Sequence, residues 1–227
     1  MKAFLQQLDI SVLTDALINV IPAVICITLH ELSHGVVALK LGDPTARNAG
    51  RLTLNPLKHI DLFGLICLAV FGFGWAKPVP INMRNFKNPR RGMGLTALAG
   101  PAANMVLAVV FLALWGFFTP ALYAGKVGSV VLDVLRSTAV LSIGLAIFNI
   151  LPIPPLDGSK VVFSIASERL YRQLMRYERY GMILLVVLLA TGVLSGPMSR
   201  GVTFLWDHLV IVAETFFRLG KSVWLTA

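Results

Sequence analysis

Apolar stretches recur along this chain at lengths that restrict it to folds built from membrane helices. In hydrocarbon every backbone polar group needs an internal partner, so only helices and closed barrels span a bilayer. A spanning helix needs about 20 mostly apolar residues. Such stretches run from about Ser11 to Leu41, Met93 to Phe118 and Val130 to Leu151, with a shorter one from Gly181 to Leu194. The 227 residues are 56% hydrophobic and 14% charged; a soluble domain is about 45–50% and about 25%. The expected class is therefore an all-α polytopic membrane protein. Its length suits a single integral domain, residues 1–227, in the lipid bilayer of a cell membrane.

The formal net charge is +9. In such a chain, basic loops set orientation and meet anionic lipid, so no nucleic-acid partner is expected. Cys26 and Cys67 both lie in apolar runs and read as small buried hydrophobes. Lys2 precedes an apolar stretch that has no small-residue cleavage site, so that stretch is expected to be retained. Nothing in the sequence specifies an oligomeric state.

The first apolar segment carries His30-Glu31-Leu32-Ser33-His34 in its C-terminal half. Residues four apart share a helix face, so two imidazoles can meet one metal ion. Glu31 beside them can act on a water there. Ionisable groups at membrane depth are costly and default to a functional reading. Core histidines bonded to carbonyls are the plainer alternative.

Gly42-Asp43-Pro44 stops the first helix. Arg51-Leu52-Thr53-Leu54 alternates like a short strand, and Lys77-Pro78-Val79-Pro80-Ile81-Asn82 reads as an edge strand. Between them Leu62–Phe73 is too short for a span and is expected to be re-entrant or interfacial, which leaves the basic loops at 43–61 and 77–91 on one side. The bias of cations then puts the N-terminus outside and the histidines toward the cytoplasmic side. Ser159–Tyr180 reads as an interfacial helix, and Val202–Leu219 as a span or an interface-lying helix.

Two histidines leave a catalytic site incomplete, since zinc usually takes three protein ligands and a water. Six residues after His34 stands Lys40, not a third histidine. His59 and His208 read as solvent-facing or interfacial. Asp157 is the better candidate: prolines at 152, 154 and 155 end the preceding span and Gly158 permits a tight turn. An ordinary turn aspartate or helix cap is the alternative.

His30-Glu31-Leu32-Ser33-His34-Gly35, Gly100-Pro101-Ala102-Ala103-Asn104, and Asn149 through Pro152, Pro154 and Leu156-Asp157-Gly158 occur in this order on separate spans. In these motifs the chain resembles the site-2 protease family of intramembrane zinc metalloproteases, as a compact member without a PDZ or CBS module. The resemblance covers about residues 12–160. It implies a three-helix catalytic core over 12–160, a short membrane-associated β-hairpin or re-entrant segment carried by 42–56 and 73–80, and C-terminal helices over 161–227. It also implies one Zn2+ per chain held by His30, His34 and Asp157, Glu31 as general base, and a transmembrane protein as substrate.

Asn149 would bond the substrate backbone or the developing oxyanion, or else make an interhelical hydrogen bond. Asn104 would line the site, or help Gly100 and Ala103 pack two helices. Gly35, Gly94 and Gly144 read as packing residues. The 77–82 strand would clamp an unwound substrate segment by strand addition. Two competing readings are a catalytically silent zinc-binding membrane scaffold, which has no need of Glu31, and a metal transporter, for which histidines on one helix face outline no path.

Overall fold

A computed structural model describes residues 10–61, 64, 76–167 and 179–225. The described chain is helical. Helix α1 covers Ile10–Lys40 and the short α2 covers Thr45–Asn48. After a polar connection come α3 (Pro89–Leu122), α4 (Lys126–Ile150), α5 (Asp157–Ile165), α6 (Gly181–Ala190) and α7 (Ser195–Trp224). Among the described residues three helices are long and apolar enough to cross a membrane: Ile18–Lys40, Pro89–Leu122 and Lys126–Ile150. Helices α6 and α7 pass the same test only as a pair, bent by 83° at the break between them.

Local chemistry sets the helix ends. Gly42 takes a φ of 105°, the left-handed conformation that glycine adopts without penalty, and the Asp43 N–H closes back on the Ala38 carbonyl at 2.9 Å. Asn88 caps α3 by accepting from the Arg91 N–H at 3.1 Å, with Pro89 at the first helical position. Helix α4 ends before Pro152. Gly158 then lies so close to the carbonyls of Ile150 and Leu151 that a Cβ would strike both, and this folds α5 back against the end of α4.

Helix α3 is the central element, packed by α1, α4, α5 and α7. Small residues allow the close approaches. Gly116 of α3 meets the Ala213 backbone of α7, and Gly220 of α7 meets the Phe117 backbone. Lipid gives no hydrophobic drive to helix association, so such tight backbone contact carries the packing. Leu112, Ala139 and Ala213 form a buried cluster flanked by Trp115 and Trp206. Asp207, Glu214, Arg218 and Lys221 of α7 all face outward. Gly35 packs under Leu52, Ala46 and Val79, and Gly94 against Ser164, whereas a Cβ at Gly144 would meet no atom of the described residues within 4 Å, so the expected packing role is not seen there.

The expected β-hairpin does not form. Among the described residues the only strand-like pairing is a single antiparallel bridge between Ile60 and Ala76. Pro78 and Pro80 have no N–H to give to a ladder. Side chains take several of the backbone groups that remain. Arg51 donates to the carbonyls of Lys77 (2.6 Å) and Pro78 (3.1 Å), and Asp43 accepts from the Asn82 N–H (2.7 Å). The 77–82 segment is thus an extended strap held at several points rather than one strand of a hairpin. The proposed re-entrant run falls almost wholly outside the described residues, as does the 168–178 part of the expected interfacial helix. His59 is fully buried, with Nε2 2.9 Å from the Thr53 carbonyl, so it is not solvent-facing. His208 is exposed, and Cys26 is buried.

Asp43 ties α1, α2 and the strap together. It accepts from the Thr45 N–H (3.0 Å) and hydroxyl, the Asn85 amide (2.7 Å) and the Asn82 N–H. Burial pushes its carboxyl up, but these four bonds outweigh burial and hold it below the usual carboxylate range. A depressed folded-state pKa stabilises the fold above the unfolded-state value, and that contribution disappears as pH falls through the folded-state value. Asp43→Ala should cost about 1–3 kcal/mol near neutral pH. In detergent, the Tm gap between this variant and wild type should narrow as pH drops below about 4.

Candidate metal centre

His30 and His34 share one face of α1, and both are buried. Asp157, the first residue of α5, is buried opposite them. Its Oδ2 lies 3.1 Å from His30 Nε2 and 3.1 Å from His34 Nε2. One ligand atom from each residue falls within 4.8 Å of the other two. Zinc bonds of about 2.0 Å in a tetrahedron put neighbouring ligand atoms roughly 3.3 Å apart, so these separations suit one small cation. The donor set, two imidazoles and a carboxylate, is that of a catalytic zinc with one open position.

The surrounding groups complete the fit. His34 Nδ1 lies 2.7 Å from the Thr96 carbonyl, so Nδ1–H donates there and Nε2 presents its lone pair to the centre. His30 Nδ1 faces the Asn104 amide, with Nδ2 at 3.1 Å. An imidazole that ligates through Nε2 carries its proton on Nδ1. The loaded centre therefore requires Asn104 Oδ1, a buried atom with no hydrogen-bond partner, turned to accept that proton. Gly100 stands against both rings. A Cβ there would lie 2.5 Å from His30 Cε1 and 2.6 Å from His34 Cε1. Asp157 divides its oxygens, since Oδ1 meets the Lys160 ammonium at 3.4 Å. Without metal, burial opposes ionisation of Asp157, but protons carried on the two Nε2 atoms and the Lys160 ammonium outweigh it and hold the carboxyl well below the usual carboxylate range; bound zinc would take the place of those protons.

Glu31 sits half-buried beside His30, and its Oε2 accepts the Val79 N–H at 2.9 Å. Asn149 is not part of the cluster. It is half-buried near the end of α4 and donates to the Leu145 carbonyl of its own helix at 3.0 Å. Sequence reasoning missed Thr96, Lys160, and the role of Gly100 as a cradle for the rings. A main-chain carbonyl leaves no residue signature. The one-turn spacing of Gly100 and Asn104 did carry a signal, because it puts the cradle and the His30 partner on one face.

The profile of peptidase family M50 matches residues 121–194, which include Asp157. A Bacillus subtilis protein named "Putative zinc metalloprotease YwhC" is 38% identical over 211 residues, covering 90% of this chain and 91% of the relative. The chain belongs to peptidase family M50. Mycolicibacterium smegmatis Rip2 is 34% identical across 74% of this chain and 64% of its own length. Methanocaldococcus jannaschii MJ0611 is 35% identical across 59% of this chain and 62% of its own. No solved structure matches.

This M50 centre makes two expectations. Gly100→Ala should displace an imidazole and lower the zinc content of the purified chain well below one per molecule, read by elemental analysis. Asn104→Leu should weaken zinc about 10–100-fold in a chelator competition, as loss of a ligand's hydrogen-bond partner typically does.

Proposed function

We propose that this chain, an intramembrane zinc metalloprotease, hydrolyses a peptide bond in or beside a membrane-spanning segment of another protein. One observation supports this most. Two imidazoles and a carboxylate converge on one point inside a bundle of membrane helices, with a further carboxylate alongside. Zinc held by His30, His34 and Asp157 would supply Lewis acidity toward the scissile carbonyl and the hydrolytic water.

The protein groups then divide the remaining work. Glu31 takes a proton from the attacking water and returns it to the leaving amine. Glu31 also ties the strap through the Val79 N–H, so the charge of its carboxylate, which Glu31→Gln removes, is what separates a protease from a silent zinc scaffold. Asn104 acts through His30 by fixing its tautomer, and not by touching substrate. Asn149, one α4 turn before the proline-rich break, can exchange its internal bond for one to the substrate carbonyl oxygen. The substrate helix must unwind locally to expose an amide.

The active site faces the cytoplasm in this reading. Arg47, Lys58, Lys77, Arg84 and Lys87 crowd the connections on the side where α1 ends and α3 begins, whereas the α3–α4 turn is followed by Lys126 alone. That asymmetry is the positive-inside pattern.

Co-expression with tagged single-span proteins provides the test. Wild type should release a shortened product. Glu31→Gln should abolish release while one zinc per chain remains, and Asp157→Ala should lose both. Cleavage that persists in Glu31→Gln would refute the assignment.

A further inference from the structure

We propose that Arg51 is a positioning residue for the hydrolytic base, acting on Glu31 through the one peptide unit that joins Pro78 to Val79. This rests on Glu31 being that base. Arg51 Nη1 donates to the Pro78 carbonyl at 3.1 Å, and the N–H of the same peptide unit, on Val79, donates to Glu31 Oε2 at 2.9 Å. The unit is planar and trans, so its C=O and N–H point to opposite edges. Arg51 and Glu31 therefore hold one rigid plate from its two sides. A second arm of the guanidinium, Nη2, donates to the Lys77 carbonyl at 2.6 Å and fixes the preceding unit as well.

Arg51 satisfies the Lys77 and Pro78 carbonyls and so steadies the strap, but a charged side chain is a costly way to do that alone. Arg51 is buried, its Nε has no hydrogen-bond partner, and no carboxylate pairs with it among the described residues. A buried cation satisfied mainly by carbonyls is costly to desolvate. What the cation does supply is direction. A positive charge on the carbonyl end polarises the unit and strengthens the N–H at the other end as a donor.

The strap is built for one such donor. Pro78 and Pro80 flank Val79 and have no N–H, so the Val79 amide is the sole main-chain donor between 78 and 80. The ends of the strap are tied separately. The Lys77 N–H donates to the His59 carbonyl at 2.9 Å, and Asp43 holds the Asn82 N–H and the Asn85 amide. The Pro78 ring and the buried Val79 side chain limit the 78–79 plate, and Arg51 fixes the direction of its carbonyl and hence of its N–H. Glu31 is thereby held at one oxygen, with the other left for the water.

The experiment uses the full zinc-loaded chain in detergent and the single-span fusion that the wild type cuts. Arg51→Met should lower kcat about 10–100-fold, the range seen when groups supporting an active site are removed. KM and zinc per chain should stay within about twofold of wild type. Arg51→Lys, which can reach one carbonyl, should recover part of the loss. An unchanged kcat, a rise confined to KM, or loss of zinc would each overturn the proposal. If Arg51→Met does not fold, the ester made by placing α-hydroxyvaline at 79 decides the matter, because it deletes the Val79 N–H and weakens the Pro78 carbonyl as an acceptor while Arg51 itself stays in place. A fall in kcat supports the relay and an unchanged kcat removes it. Glu31→Gln runs alongside: activity in that variant refutes the base assignment itself, whereas an inert Glu31→Gln with an unaffected Arg51→Met refutes only the relay.

Discussion

The structure depends on bringing a carboxylate from one end of the chain's core against two imidazoles from the other. His30 and His34 come from α1 and Asp157 from the start of α5, more than 120 residues later, yet both imidazole nitrogens reach the same oxygen. None of the three could remain charged and unpaired at this depth. Each is therefore satisfied by the others or by a second group: Thr96, Asn104 and Lys160. The central position of α3 follows from this. It carries two of those three partners, and at Gly100 it leaves the space in which both rings stand.

Much of the centre was legible in advance, for a physical reason. A helix repeats every 3.6 residues, so His30 and His34 had to share a face. A run of prolines followed by Leu-Asp-Gly had to end one helix and start a turn, which put Asp157 at a helix terminus. Such local rules act through a residue's own side chain and are written in its identity. The partners acting through the main chain were not legible. The Thr96 carbonyl and the Val79 N–H exist at nearly every position of any chain, and only the tertiary arrangement selects them.

The error over the hairpin has the same origin. Alternation at 51–54 and 77–82 resembles strand pairing because an extended backbone has period two whether or not it pairs. What decides pairing is where the N–H and C=O groups go. In 77–82 two are missing at prolines and others are taken by Arg51, Glu31 and Asp43. His59 was misjudged for a related reason: a histidine among cations looks exposed by composition, yet its ring closes the loop it belongs to.

The two imidazoles differ in how evolution can reach them. The proton of His34 rests on the main chain at position 96, and any residue there offers the same carbonyl, so drift at 96 is bounded by volume alone. The proton of His30 depends on an amide side chain at position 104, which few other side chains can replace. Heritable variation can therefore loosen one ring far more readily than the other.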